Sequence, residues 1–154
     1  MKNKVLTLGL LSALVLMWGC GKNCRDASCP TVVPAFFAFR LTNSADKDLL
    51  AGPAKIYDTA QLRIRAKRSS TGNLELINRV FTQSGDTLVL TGFNVSQDFS
   101  VYYLQLNGVT TDSLFFQYNK NVTACCDLSN FTFNRFNTTS ITPAKLPASF
   151  VIKK

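Results

Sequence analysis

Apolar and polar positions alternate with a two-residue period in several stretches of the chain. From 35 to 42, Ala35, Phe37, Phe39 and Leu41 share one face, with Phe36, Ala38 and Arg40 on the other. A two-residue period of this kind predicts a strand. The cleanest case spans 61–67, where Leu62, Ile64 and Ala66 alternate with Arg63, Arg65 and Lys67, and Arg68 extends the basic row. It predicts a strand with one face in the core and one basic face outside. Residues 74–82 carry Leu74, Leu76 and Val80 on one face and Ile77 and Phe81 on the other. That predicts a single strand covered on both sides. Shorter strands are predicted at 87–91, at 130–136 around Phe131, Phe133 and Phe136, and at 149–152.

Residues 99–106 and 114–118 read as a hairpin, because Asn107-Gly108 is a strong two-residue turn signal. A tight turn sets Val101 against Leu114 and Phe99 against Phe116, but also Tyr103 against Asp112 and Leu104 against Thr111. A longer loop through Asp112 pairs Leu104 with Phe115 instead. The pattern leaves the register open, and a one-residue slip would exchange the faces.

Loops are predicted where turn residues cluster: 43–54, 69–73, 84–86, 119–121, and 138–147 with Pro143 and Pro147. Leu49 and Leu50 are expected to dock the first loop on the core. Asp46 and Asp48 in that loop read as a solvated turn in preference to a calcium site, since the rest of a calcium loop is missing. No stretch has a helical period of useful length. About seven to nine short strands predict an all-β fold, an antiparallel β-sandwich, immunoglobulin-like or related, with a small β-barrel as the alternative.

The first residues follow a different plan. Lys2 and Lys4 precede an apolar run over 5–18, then Gly19-Cys20. The run is shorter than the roughly 20 residues of a membrane-spanning helix and matches a secretory signal. Leu16-Met17-Trp18-Gly19-Cys20 resembles a bacterial lipobox. That resemblance implies a lipid on Cys20 and cleavage before it, with a cell-envelope location. The chain then divides into a signal peptide at 1–19, a cysteine-containing tether at 20–34 and one domain at 35–154.

The 154 residues are 46% hydrophobic and only 17% charged, a composition that folds. The formal charge is +8, and +6 without Lys2 and Lys4. Such an excess serves solubility or attraction to an anionic surface: lipid headgroups, acidic glycan or lipopolysaccharide. Nucleic acid is set aside, because an exported chain rarely meets it. The Arg63, Arg65 and Lys67 row is the candidate basic binding face; its other reading is protection of an edge strand against aggregation. Four cysteines besides Cys20 remain: Cys24, Cys29, Cys125 and Cys126. In an exported chain they are disulfide candidates, and sequence does not select the connectivity. Links between tether and domain are favoured over a vicinal Cys125–Cys126 bridge, and four thiolates binding a metal are the lesser alternative.

The chain has no histidine, which removes the commonest general base and the usual Ser/His and Cys/His nucleophile systems. Neither a phosphate loop nor a dinucleotide fingerprint occurs. No catalytic residue, metal or cofactor is assigned, and a pair of aspartates meeting in space is the remaining route to an enzyme. Tyr57, Tyr102, Tyr103 and Tyr118 are candidates for stacking on sugar rings or for the core.

Asp58-Thr59-Ala60, Asp86-Thr87-Leu88 and Asp112-Ser113-Leu114 resemble the O-glycosylation acceptors of exported Bacteroidota proteins, with Thr59, Thr87 and Ser113 as acceptors. Together with the lipobox, the tether and the Phe36-Phe37-Ala38-Phe39 strand, they make the chain resemble small uncharacterised Bacteroidota lipoproteins. The resemblance implies a protein anchored to a membrane through Cys20. Gly21-Lys22-Asn23 after the cysteine is not the acidic export signal of surface-exposed members, which favours the periplasmic face of the outer membrane. The expected function is a non-enzymatic interaction or assembly module, with an envelope protein or anionic glycan as partner. A glycan-binding lipoprotein using tyrosines and the basic face is the alternative.

Overall fold

A computed structural model describes residues 35–84, 88–122, 126 and 128–154. The expected signal peptide at 1–19, the expected tether at 20–34 with Cys20, Cys24 and Cys29, and Cys125 and Thr87 lie outside the described residues. Ten strands are described: β1 (Phe36–Thr42), β2 (Arg63–Arg68), β3 (Leu74–Ile77), β4 (Val80–Ser84), β5 (Leu88–Asn94), β6 (Phe99–Leu106), β7 (Val109–Asn119), β8 (Asn130–Phe136), β9 (Thr139–Lys145) and β10 (Ala148–Lys153). They form a four-stranded sheet, β10-β1-β5-β4, and a six-stranded sheet, β3-β2-β6-β7-β8-β9. The sheets do not close on each other, so the sandwich holds and the barrel alternative falls. Every pairing is antiparallel except β1 with β10, which run parallel.

The core is where the alternation placed it. Phe37, Phe39 and Leu41 of β1 and Ile64 and Ala66 of β2 are fully buried, each from its own sheet. Aromatic rings join the layers. Phe37 lies 4.7 Å from Phe133 and 5.1 Å from Phe116 between ring centroids, and Phe93 lies 5.1 Å from Tyr102. Phe150 meets Phe133 at 5.1 Å near β10. Burying one such ring contributes about 1.5–3 kcal/mol, so this cluster dominates cohesion between the sheets. Leu49 and Leu50 plug the core from the loop after β1, as expected.

The hairpin register resolves through a bulge. Asn107 and Gly108 take φ of 51° and 80°, as a type I′ turn demands. Leu106 pairs Val109 and Gln105 pairs Thr110, but Leu104 then pairs Asp112 and Tyr102 pairs Leu114. Thr111 is the extra residue. The shift brings Leu104, Tyr102 and Leu114 onto one buried face, which neither uninterrupted register achieves.

Two expectations fail. Residues 74–82 are not one strand covered on both sides: the chain crosses at Asn78-Arg79 from β3, the edge of one sheet, to β4, the edge of the other. Leu74, Leu76 and Val80 are exposed as a result. Residues 138–147 are not wholly a loop, because 139–145 form β9. Pro143 is tolerated there since β9 is an edge strand with a ladder on one side only.

Candidate functional site

The basic row lies on β2, one strand in from the edge, between β3 and β6. Edge protection is therefore not its role; β3 is the edge. Ile64 and Ala66 point into the core, so alternation turns Arg63, Arg65 and Lys67 outward. Arg65 and Lys67 are exposed. Arg63 is half-buried, and its guanidinium donates to the carbonyls of Ala60 and, at 3.1 Å, Leu62. It is held as part of the strand entry.

Register carries the same face across the sheet. Arg65 stands beside Leu76 of β3 and Tyr103 of β6, and Lys67 beside Leu74 and Val101. Tyr103 pairs Ser113 of β7, and Phe115 pairs Arg135 of β8, whose guanidinium carbon sits 3.6 Å from the Phe115 ring centroid. Lys145 of β9 pairs Thr132, itself opposite Gln117. The outer face thus joins Arg63, Arg65, Lys67, Arg135 and Lys145 to Tyr103 and Phe115. None of the described acidic residues falls on this face. Sequence reading found the first three cations. Arg135 and Lys145 were missed, because only pairing brings β8 and β9 to the same surface.

The acidic groups are used elsewhere. Asp48 is buried and accepts from the backbone N–H groups of Leu50, Ala51 and Val89 at 2.8, 3.1 and 3.1 Å. Asp112 is buried and takes Lys154 as ion-pair partner, with Asn137 Nδ2 at 3.0 Å and Thr111 Oγ1 at 2.8 Å. Arg68 and Glu75 form a two-pronged pair at the rim, which raises the arginine and lowers the carboxyl from their ordinary pKa values through their hydrogen bond. Asp46 pairs with Lys153 at 2.8 Å, and that hydrogen bond holds its carboxyl below the usual range.

The tyrosines separate. Tyr102 is a core residue whose hydroxyl accepts from Ser96 N at 2.8 Å, and burial pushes its pKa up to about 12. Tyr103 lies on the basic face. Tyr118 stacks with Phe131 at 5.1 Å, and Tyr57 packs on the core from the loop. Among the acceptor triplets, Thr59 opens a single 3₁₀ turn capped by Asp58, whose carboxylate accepts from Ala60 N at 2.9 Å. Ser113 is half-buried in β7, its N–H bonded to Asn137 Oδ1 at 2.6 Å. Cys126 is half-buried in the segment between β7 and β8.

A concave region lies on the four-stranded sheet, away from the basic face. A cavity of about 450 Å³ is lined by Arg40, Asp46, Lys47, Asp48, Ala51, Pro53 and Ala54. Searches against protein-family models, curated proteins and solved structures find no match.

Proposed function

We propose that the protein is a lipid-anchored, non-enzymatic interaction module of the bacterial envelope, with an anionic glycan as its partner on the outer face of the six-stranded sheet. The carrying observation is segregation of charge: Arg63, Arg65, Lys67, Arg135 and Lys145 share one face to which the described acids do not contribute. Cations beside Tyr103 and Phe115 suit a ligand with negative groups and apolar ring faces. The anchor is the lipid on Cys20, at the periplasmic face of the outer membrane. In this reading a disulfide between Cys125 or Cys126 and Cys24 or Cys29 staples the domain to the tether. Such a staple would keep the domain close to the membrane.

The test is retention of the full chain, in nonionic detergent, on immobilised lipopolysaccharide against neutral dextran. Binding to lipopolysaccharide alone, weakened by salt and lost in Arg65→Glu with Lys67→Glu, is the expected result. Unchanged retention in that variant sinks the glycan reading. Mass spectrometry of the Cys20 peptide tests the anchor separately, and an unmodified thiol rejects it.

A protein partner is the second reading, favoured by the exposed edges. Leu74 and Leu76 on β3 and Val80 and Phe81 on β4 leave apolar side chains on the outermost of the described strands, where a partner strand adds. Val80→Lys would abolish such pairing and leave glycan retention intact.

A further inference from the structure

The cavity beside β1 has a feature that the fold does not use. Arg40 alternates with the buried Phe39 and Leu41, so it faces outward on the four-stranded sheet, away from the Arg65 face. Its Nε is buried and has no hydrogen-bond partner among the described residues. Burying a guanidinium N–H without an acceptor is costly, and such groups are normally satisfied by protein, water or an ion. The nearby carboxylates are already engaged. Asp48 spends both oxygens on backbone N–H groups, and Asp46 is held by the Lys153 hydrogen bond, with Arg40 only a weaker and more distant attraction.

The wall around Arg40 is built, not loose. Asn43 Oδ1 accepts from Ala45 N and Lys47 N at 3.0 Å each, which closes the first turn. Leu49 N bonds Leu41 O at 2.9 Å, and Lys55 N bonds Gly52 O at 3.2 Å. Leu49 and Leu50 fix the same loop to the core. Lys47 adds a second cation to the lining, while Ala51, Pro53 and Ala54 supply small apolar walls. A volume of about 450 Å³ lies in the range of small-molecule sites.

We infer that this cavity is an oxyanion-binding site in which the Arg40 guanidinium takes a carboxylate or phosphate group of a small ligand. Arginine suits the task because its planar fork donates two parallel hydrogen bonds to such a group. Lys47 adds attraction without fixing direction. The site lies on the other sheet from the proposed glycan face, so each stands or falls alone.

The experiment is a titration of the ¹⁵N-labelled full chain in nonionic detergent, followed by the Arg40 Nε–H and the Ala51 and Ala54 amide resonances. The probes are glucuronate, inorganic phosphate and, as a neutral control, glucose. Saturable shifts with glucuronate identify a carboxylate ligand, and saturable shifts with phosphate alone identify a phosphate ligand; either supports the site. Glucose should move nothing. Arg40→Gln should weaken binding roughly tenfold to a hundredfold, read at the Ala51 and Ala54 amides. Ala54→Trp, which fills the wall and keeps Arg40, should block it as well. Arg65→Glu should leave it unchanged. Absence of a saturable shift with both anions, or equal binding in Arg40→Gln, overturns the inference.

Discussion

Asp48 offers the sharpest test of how the loop after β1 is held. Its Oδ1 accepts from Leu50 N and Ala51 N, and its Oδ2 accepts from Val89 N on β5. One carboxylate therefore closes a turn and ties it to the four-stranded sheet. Asp48→Ala removes the acceptor of three donors. Leu50 and Val89 are buried, whereas Ala51 is half-buried and recovers water. A buried donor left without an acceptor costs about 1–3 kcal/mol. Two of them cost about 2–6 kcal/mol, a large share of the 5–15 kcal/mol typical of a domain. Asp48→Asn keeps an oxygen for Leu50 and Ala51 but turns an NH₂ toward Val89, so it should lose only about 1–3 kcal/mol. Urea unfolding followed by far-UV circular dichroism reads the difference. At a slope of about 1.5 kcal/mol/M, the midpoint should fall by about 1.3–4 M for Ala and by about 0.7–2 M for Asn. Equal midpoints for the two variants, or an Ala midpoint within about 0.3 M of the parent, would refute the account. The three N–H groups would then be satisfied without the carboxylate.

Three further outcomes follow from buried polar groups. Tyr102 has a folded-state pKa raised to about 12 by burial, so the fold favours its neutral form. Stability from this group is complete below the unfolded value near 10 and is lost as pH rises through about 12; alkaline unfolding should shift upward in Tyr102→Phe. Lys154→Ala leaves the buried Asp112 carboxylate without its cation and should cost about 3 kcal/mol by urea unfolding, whereas an unchanged midpoint would mean that Asn137 and Thr111 suffice. Thr91 is fully buried with no partner for its hydroxyl among the described residues, so Thr91→Val should raise stability by about 1 kcal/mol, and a destabilised variant would reveal a bond at that oxygen.

The strands legible in the sequence are those whose alternation sorts large apolar side chains to one face. At Leu62–Lys67 burial is one-sided and marks both the core and the basic face; in β1 Ala38 is buried as well, and the large Phe37, Phe39 and Leu41 mark the core. The Asn107-Gly108 turn is legible because few residues accept two positive φ angles. The stretch from Leu74 to Phe81 misleads for a physical reason. Apolar residues on both faces normally mean cover, but here they line two edges on either side of a crossing that lacks glycine or proline. β9 was hidden by Pro143, whose cost vanishes at an edge. The Thr111 bulge was hidden because it reconciles two registers that each fail alone. Arg40 looked like any outward residue of the first strand; only the loop folded over it makes its Nε buried.

The overall charge of +8 says less about function than its partition does. Each described acid is committed inside the chain: Asp46 to Lys153, Asp48 and Asp58 to backbone N–H groups, Glu75 to Arg68, Asp98 to Ser96 and Asp112 to Lys154. Folding thus consumes negative charge in turns, caps and ion pairs. The cations Arg65, Lys67, Lys145 and Arg40 form no ion pair among the described residues, although Arg40 shares its cavity with Asp46 and Asp48. Of these, the first three point from one sheet and Arg40 from the other. Solubility alone would be served by cations scattered at random over the surface and balanced locally by acids. A fold that neutralises its rims and leaves one sheet face without a described acid concentrates positive potential there, whereas the cavity sets Arg40 and Lys47 beside the Asp46 and Asp48 carboxylates. Screening over about 8 Å in physiological salt keeps those places separate, because their fields fade before they reach across a sandwich of two sheets. Each cationic feature is therefore expected to respond to its own substitutions and not to those of the other, which makes charge reversal on β2 and neutralisation of Arg40 independent probes.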